Sequence, residues 1–355
     1  MWVRSLVVCL LFSFGGTATL SAQGEMQIRG EPPHPAVAMI MGNRWAIFLE
    51  GRIDSAAGER LKGYLETKRV PRRSDLYIHS PGGSVLGGME LGRVIREYEL
   101  SVSVSRFKKG GSSEYRPFSL LPGECYSACT LAFVGGKFRF LNEDSTFGVH
   151  QFAFRNNAEA DVGVAQVTSA MIVAYLRSMD IDVDFFRMST VAKPSDMFMP
   201  PIETLKKLNV VNGGVERPKW TIESSGDGLY LKAERDSIYG HQKILLYCPP
   251  KSPIFLHMIY EAQGRDKELM NFPAHTVVIG DRTYRQKPVH KEIQNGYFNA
   301  IYSLSRAQAE SLRSARSVGA MVQGSYEAPM FLGIDDMPVT EPKRMLGLLN
   351  SCRTQ

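Results

Sequence analysis

Beyond its N-terminus the chain has no run approaching the ~20 apolar residues that a membrane-spanning helix needs. Cysteine is scarce, with five in 355 residues. No cysteine pair has a second pair or histidines at zinc-site spacing, so no metal site is expected. The basic clusters Lys68-Arg-Val-Pro-Arg-Arg73 and Arg106-Phe-Lys-Lys109 lack an aromatic-rich reading surface. Both read as solvated loops, and nucleic acid is not an expected partner despite a formal net charge of +6. The second half has no convergent acids, no histidine cluster and no glycine-rich phosphate loop. It reads as a binding or interaction module, and no cofactor is expected.

What is present begins with an address. Met1-Trp-Val-Arg4 precedes an apolar run over residues 5–14 and a softer tail ending Leu20-Ser-Ala22. A positive start, a short apolar core and a small residue at the cut predict a secretory signal peptide, cleaved after Ala22. An uncleaved anchor is the alternative, but the run is short for a span. The expected location is periplasmic or secreted, with no membrane span after cleavage. Without Cys9, four cysteines remain: Cys125, Cys129, Cys248 and Cys352. In an oxidising compartment that even count predicts two disulfides. Cys248 with Cys352 would tie the ends of the second half, and Cys125 with Cys129 would staple a turn around Ser127. Four residues of helix separate α-carbons by about 6 Å, within disulfide range. A redox-active Cys125/Cys129 pair is the competing reading, although the spacing exceeds the two-residue redox motif.

The length favours two domains over one core. Residues 23–43 read as a proline-rich leader, 44–212 as an α/β domain with a parallel sheet, and 213–355 as a mainly-β accessory domain. In the first domain, strand Trp45-Ala-Ile-Phe-Leu49 precedes a helix capped by Asp54 or Ser55. Strand Leu76-Tyr-Ile-His79 runs into Ser80-Pro-Gly-Gly-Ser84 and a helix to about Tyr98. A third strand covers residues 101–104, and Thr146-Phe-Gly-Val-His150 continues the alternation. Leu121-Pro-Gly-Glu-Cys-Tyr-Ser-Ala-Cys-Thr-Leu-Ala-Phe133 reads as a tight turn opening into a small-residue helix. Ser127 lies at its start, where backbone N–H groups lack partners and negative charge is favoured. Residues 106–122 read as a Gly/Ser-containing loop, either a lid or a surface insertion. A helix over residues 158–179 places Val164, Val167, Met171 and Tyr175 on one face, which reads equally as core or as a homo-oligomer contact. In the second domain, Lys243-Ile-Leu-Leu-Tyr247, Ile254-Phe-Leu-His257 and His275-Thr-Val-Val-Ile279 read as short strands of a sandwich or small barrel. Ser305-Arg-Ala-Gln308 reads as a capping box opening a helix.

Three blocks occur in the order found in the proteolytic subunit of the Clp protease: Ala46-Ile-Phe-Leu-Glu-Gly-Arg-Ile-Asp54, Leu76-Tyr-Ile-His-Ser-Pro-Gly-Gly-Ser-Val85 and Phe147-Gly-Val-His-Gln151. Over residues 44–212 the chain resembles that family and the wider Clp-protease/crotonase (ClpP/crotonase-like) superfamily, and most of all an uncharacterised exported branch. The resemblance implies a serine peptidase forming an acyl-enzyme. Ser127 matches the nucleophile and His150 the general base. The N–H groups of Gly83 and Ala128 match the oxyanion donors.

The third triad member is where the chain departs from the family. Where the family's aspartate is expected stands Met188-Ser-Thr-Val191, with Asp184 upstream and Asp196 downstream as the nearest acids. Asp196 is the weak candidate. The following segment, Phe198 to Asn209, matches a family ending in which Asn209 takes the left-handed position often given to glycine. The accessory domain has no counterpart in the protease subunit. An exported enzyme has no ATP to drive unfolding, so peptides or unfolded polypeptides are the expected substrates. The competing expectation is a non-catalytic binding protein whose triad has decayed.

Overall fold

The computed structural model describes residues 25–41, 43–113, 115–152, 160–193, 196–226, 228–250 and 252–352. The expected signal peptide lies outside the described residues. Strand β1 (Gln27–Glu31) and helix α1 (Pro35–Met41) come first. They are followed by β2 (Ala46–Glu50), α2 (Ala57–Lys68), β3 (Asp75–His79), α3 (Val85–Glu97) and β4 (Ser101–Ser113). Ile47, Phe48 and Leu49 are all buried, as expected of a strand covered on both faces. In β3 the pattern alternates, with Leu76 and Ile78 inward. Strands β2, β3 and β4 pair in parallel, and β1 adds to β2 antiparallel. Helices α2 and α3 connect them as crossovers and bury Leu61, Leu65, Met89, Leu91 and Ile95 in the same core. Ser84 caps α3 by accepting the Gly87 N–H at 3.1 Å, which explains why the helix starts directly after the Pro-Gly-Gly turn.

The next segment departs from the sequence reading. Residues 106–122 are not a loop: β4 runs on to Ser113 and returns as β5 (Arg116–Pro122), paired from Ser105↔Pro122 to Ser113↔Arg116. The cluster Arg106-Phe-Lys-Lys109 therefore lies on a strand. Phe107 and Phe118 pack edge-on against Phe48 at 5.0 and 5.2 Å between ring centroids. Those contacts are nonlocal, so the Gly/Ser content dominates the local signal and hides the hairpin.

The chain then forms β6 (Glu124–Tyr126), α4 (Ala128–Val134), β7 (Phe138–Phe140) and β8 (Thr146–Gly148). The strand that extends the main sheet beside β4 is β7. Thr146–Gly148 instead pairs in parallel with β6, in a separate two-stranded sheet. Helices α5 (Ala160–Ser178), α6 (Asp184–Ser189) and α7 (Ile202–Lys207) complete this half. Asn209 does adopt left-handed backbone, φ 58, just past α7. On α5 only Tyr175 of the expected face is buried. Val164, Val167 and Met171 are exposed, so that face is not core. Arg139 is 2% exposed, and its guanidinium donates to the carbonyls of Gly136, Asn209 and Val210, tying the end of α4 to the exit from α7.

From Lys219 the chain is mainly β and has its own core. Strands β9 (Lys219–Ser225), β10 (Gly228–Ser237), β11 (Gly240–Tyr247) and β12 (Phe255–Glu261) form a meander. Helix α8 (Asp266–Asn271) leads into β13 (Ala274–Ile279), β14 (Arg282–Arg285), β15 (His290–Gln294) and β16 (Tyr297–Ser303). Helix α9 (Arg306–Ser311), β17 (Ser317–Gln323), β18 (Leu332–Pro338) and α10 (Pro342–Ser351) follow. The strands make a six-stranded sheet, β15-β16-β12-β11-β10-β9, and a four-stranded one, β14-β13-β17-β18. Both contribute to one core, as in a sandwich. The capping box is present at α9, with Ser305 and Gln308 bonding each other's backbone. Both disulfides form, Cys125–Cys129 and Cys248–Cys352, which fits a protein maturing in an oxidising compartment. Among the described residues no helix is long and apolar enough to cross a membrane. The two halves meet at an ion cluster in which Lys137 reaches Glu99 and Asp236.

The second core contains a titratable liability. His275 is 2% exposed; its Nδ1 meets the Tyr302 hydroxyl at 3.0 Å and its Nε2 has no partner among the described residues. Burial pushes its pKa down to about 4. The unfolded chain therefore binds the extra proton first, near the ordinary value of about 6.5. Stability from a neutral His275 is complete above that value and is lost as pH falls toward 4, by up to about 3 kcal/mol. Urea midpoints measured between pH 7.5 and 4 should fall steeply for the wild type and less for His275→Gln. Parallel curves would contradict this.

Candidate active site

Strand β6 ends at Tyr126 and helix α4 begins at Ala128, leaving one residue to turn the chain. That residue, Ser127, has φ 55 and ψ −125. Positive φ is uncommon for a residue with a β-carbon and costs on the order of 1–3 kcal/mol, so its surroundings must enforce it. The Ser127 N–H donates to the Gly148 carbonyl at 3.0 Å, and the Tyr126 N–H to the Ser80 carbonyl at 3.1 Å. The Thr130 N–H and hydroxyl both donate to the Ser127 carbonyl, at 2.9 and 2.7 Å. The Cys125–Cys129 disulfide closes the turn with α-carbons 5.2 Å apart. A serine on a sharp strand-to-helix turn has its Oγ pushed clear of the backbone, the geometry of a nucleophile elbow.

The Ser-Pro-Gly-Gly turn after β3 packs directly on this elbow. Ser80, fully buried, accepts the Gly82 N–H on its hydroxyl at 3.1 Å. The Gly82 carbonyl accepts from Ile53 at 2.9 Å, and the Ser84 N–H donates to the Ile53 carbonyl at 2.8 Å. Gly82 has φ +96, and a β-carbon there would stand 2.5 Å from the Tyr126 carbonyl and 2.8 Å from Ser127 Cβ. Glycine is thus required twice over, by conformation and by space. Among the described residues, the N–H groups of Gly83 and of Ala128, the first residue of α4, have no hydrogen-bond partner. These two unpaired backbone donors lie on the two segments that meet at Ser127, the Pro-Gly-Gly turn and the start of α4, and an oxyanion site needs such donors.

His150 follows β8 and is gripped on both sides. Val149 exchanges two 2.9 Å bonds with Phe198, and the Gln151 N–H donates to the Ala192 carbonyl at 3.0 Å. The Gln151 side chain donates to the Thr190 carbonyl at 2.6 Å. Ser127, Ala128 and His150 line one pocket of about 40 Å³, whose other walls include Leu131, Ile172, Leu176, Phe185 and Phe186. The structure therefore brings together residues 23 positions apart in sequence. No hydrogen bond joins Ser127 Oγ to His150; in ligand-free sites such bonds are often long and tighten on binding.

Among the described residues no third member is assembled. Nδ1 of His150 is buried and has no partner among the described residues. Asp196 is exposed, in a turn where its N–H donates to the Lys193 carbonyl. Asp184 is also exposed, and pairs with Arg187 at 3.6 Å. Neither carboxylate reaches Nδ1. Sequence reading had singled out Gly83 and Ala128 but not Ser80, whose hydroxyl engages the Gly82 N–H and leaves that of Gly83 unpaired. Its signal was its place at the head of the Pro-Gly-Gly block. Among the described residues no group of three His, Cys, Asp or Glu side chains is placed to hold a metal ion. Compared with known proteins, the chain matches no family model and no curated protein.

Proposed function

We propose that this chain is an exported serine hydrolase, a peptidase that acts through an acyl-enzyme at Ser127. The observation that carries the reading is the strained Ser127 at φ 55 between β6 and α4, where it meets the Pro-Gly-Gly turn, with the N–H groups of Ala128 and Gly83 unpaired among the described residues. In this mechanism Ser127 Oγ attacks a peptide carbonyl while His150 takes the hydroxyl proton. The two N–H groups hold the oxyanion, which is the step worth most in such sites. His150 then protonates the departing amine, and water attacking the ester repeats the cycle in reverse. The parallel sheet with helical crossovers, the Ser-Pro-Gly-Gly turn and the Ser127/His150 order support placing residues 44–212 in the Clp-protease/crotonase superfamily. The two disulfides support an oxidising compartment, where ATP-driven unfolding is absent, so the substrates are peptides or already unfolded chains.

One observation favours the second reading, a binding protein on the same architecture: among the described residues Nδ1 of His150 has no partner to support an imidazolium. Labelling of the purified mature protein with a fluorophosphonate probe separates the two. Covalent phosphonylation mapped to Ser127, and lost in Ser127→Ala, is expected of the hydrolase. No labelling of the folded wild type would overturn it in favour of the binding protein.

A further inference from the structure

The elbow that carries Ser127 is made from unusually little structure. Strand β6 has three residues and α4 has seven. A β-carbon-bearing residue at φ 55 between them tends to relax toward ordinary backbone unless held. The Cys125–Cys129 disulfide joins the middle residue of β6 to the second residue of α4, so that Ser127 sits at the centre of the closed ring. Both cysteines are fully buried in the main core.

The same ring contains Ala128, whose N–H is one of the two oxyanion donors. Around it the packing leaves no slack. Gly82 faces the Tyr126 carbonyl and Ser127 Cβ, and Gly88 faces the Ala128 carbonyl closely enough that a β-carbon would collide with it. Opening of the ring therefore moves the nucleophile and one oxyanion donor together. The second donor, Gly83, stays behind, held by its pairing with Ile53.

From this we infer that Cys125 and Cys129 are positioning residues for the nucleophile, and that the site becomes competent only when their disulfide has formed. The inference rests on the hydrolase reading and adds its regulation. Formation removes two electrons and two protons from the thiols, makes one S–S bond and reduces a disulfide oxidant. Burial shields the finished bond from small reductants, so the inactive form is the newly made dithiol chain. A peptidase built this way is silent in a reducing compartment and switches on after export, where disulfide donors are present.

The test compares fluorophosphonate labelling of wild type, Cys125→Ala/Cys129→Ala and Cys248→Ala/Cys352→Ala, with circular dichroism as the measure of folding. The first double variant should label about 10²-fold more slowly while keeping its fold. The loss should fall on the maximal rate rather than on probe affinity, because displacement of a reacting atom by about 1 Å is enough for that factor. The second double variant should lose thermal stability but label at the wild-type rate while folded. Wild-type labelling rates in Cys125→Ala/Cys129→Ala would overturn the inference and leave the hydrolase reading standing. No labelling of wild type would overturn the hydrolase reading itself. If the variant fails to fold, wild type that has been unfolded, fully reduced with dithiothreitol and refolded with a limiting amount of disulfide oxidant decides. Labelling confined to molecules whose Cys125–Cys129 bond is intact supports the inference, and labelling of molecules with both thiols free overturns it.

Discussion

Labelling of Ser127 by a fluorophosphonate should slow by about 10²- to 10⁴-fold in His150→Ala, the range expected when a positioned general base is removed. The size of the effect follows from how the histidine is held. Both its neighbours are pinned, Val149 to Phe198 and Gln151 to Ala192, so the backbone that carries the imidazole is fixed at the pocket. The pocket wall it shares with Ser127 is otherwise apolar apart from Ala128 backbone, Thr130 and Ser189. A hydroxyl is a weak base, so neither Thr130 nor Ser189 can take over. A companion variant sharpens the point. Asp196→Asn should change the labelling rate by no more than about twofold, because Nδ1 of His150 has no partner among the described residues and Asp196 is exposed. A loss in Asp196→Asn as large as that in His150→Ala would mean that a triad assembles on binding. Wild-type labelling in His150→Ala would remove the histidine from the mechanism.

The second large effect concerns stability. Cys248→Ala/Cys352→Ala should destabilise the mainly-β half by about 4–5 kcal/mol in the chain-entropy picture, since the bond closes a loop of sequence separation 104. For a unit of that size the melting midpoint falls by about 10–20 °C. The bond fastens α10, whose Met345, Leu348 and Leu349 are buried in the second core, to the strand exit after Tyr247. Its loss lets that helix detach and exposes the apolar face beneath. The Cys125–Cys129 bond spans a separation of only 4, so the same relation assigns it about 2 kcal/mol. The two disulfides therefore differ in kind: one holds a long loop together, and the other fixes a local geometry. Calorimetry of the two double variants measures the contrast. Equal midpoints in both would refute the loop-length argument.

Several features needed nothing beyond local sequence. Ser305 with Gln308 caps α9 because a capping box is a contact between residues three apart, legible at that spacing. By contrast, Asp54 or Ser55 was expected to cap α2, and Ala56 holds that position without a side-chain cap bond. Buried strands such as β2 were legible because Ile47, Phe48 and Leu49 are contiguous. The left-handed turn at Asn209 was expected from the resemblance, whose matching segment ends at a glycine, and asparagine tolerates that backbone. That four cysteines would form two disulfides was legible from their even count, but which cysteine joins which is fixed by the fold.

Other features were settled only when the chain closed on itself. The β4–β5 hairpin depends on Phe48, far away in sequence, to give Phe107 and Phe118 something to pack against. Thr146–Gly148 and Phe138–Phe140 compete for the sheet edge beside β4, and periodicity cannot say which wins. The stripe on α5 shows the same limit, since a period of 3.6 marks a face but not whether Val164 and Val167 are covered. The site divides along this line. Ser127, His150, Gly83 and Ala128 were marked by the resemblance to the Clp-protease/crotonase superfamily, since a serine at a helix start is by itself more often packing and capping than chemistry. The φ of Ser127 and the two unpaired N–H groups depend on neighbours at Ser80, Gly82 and Gly148 as well as on the Cys125–Cys129 bond. Those neighbours meet only in three dimensions, and no local pattern encodes a conformation that is enforced in part from outside the segment.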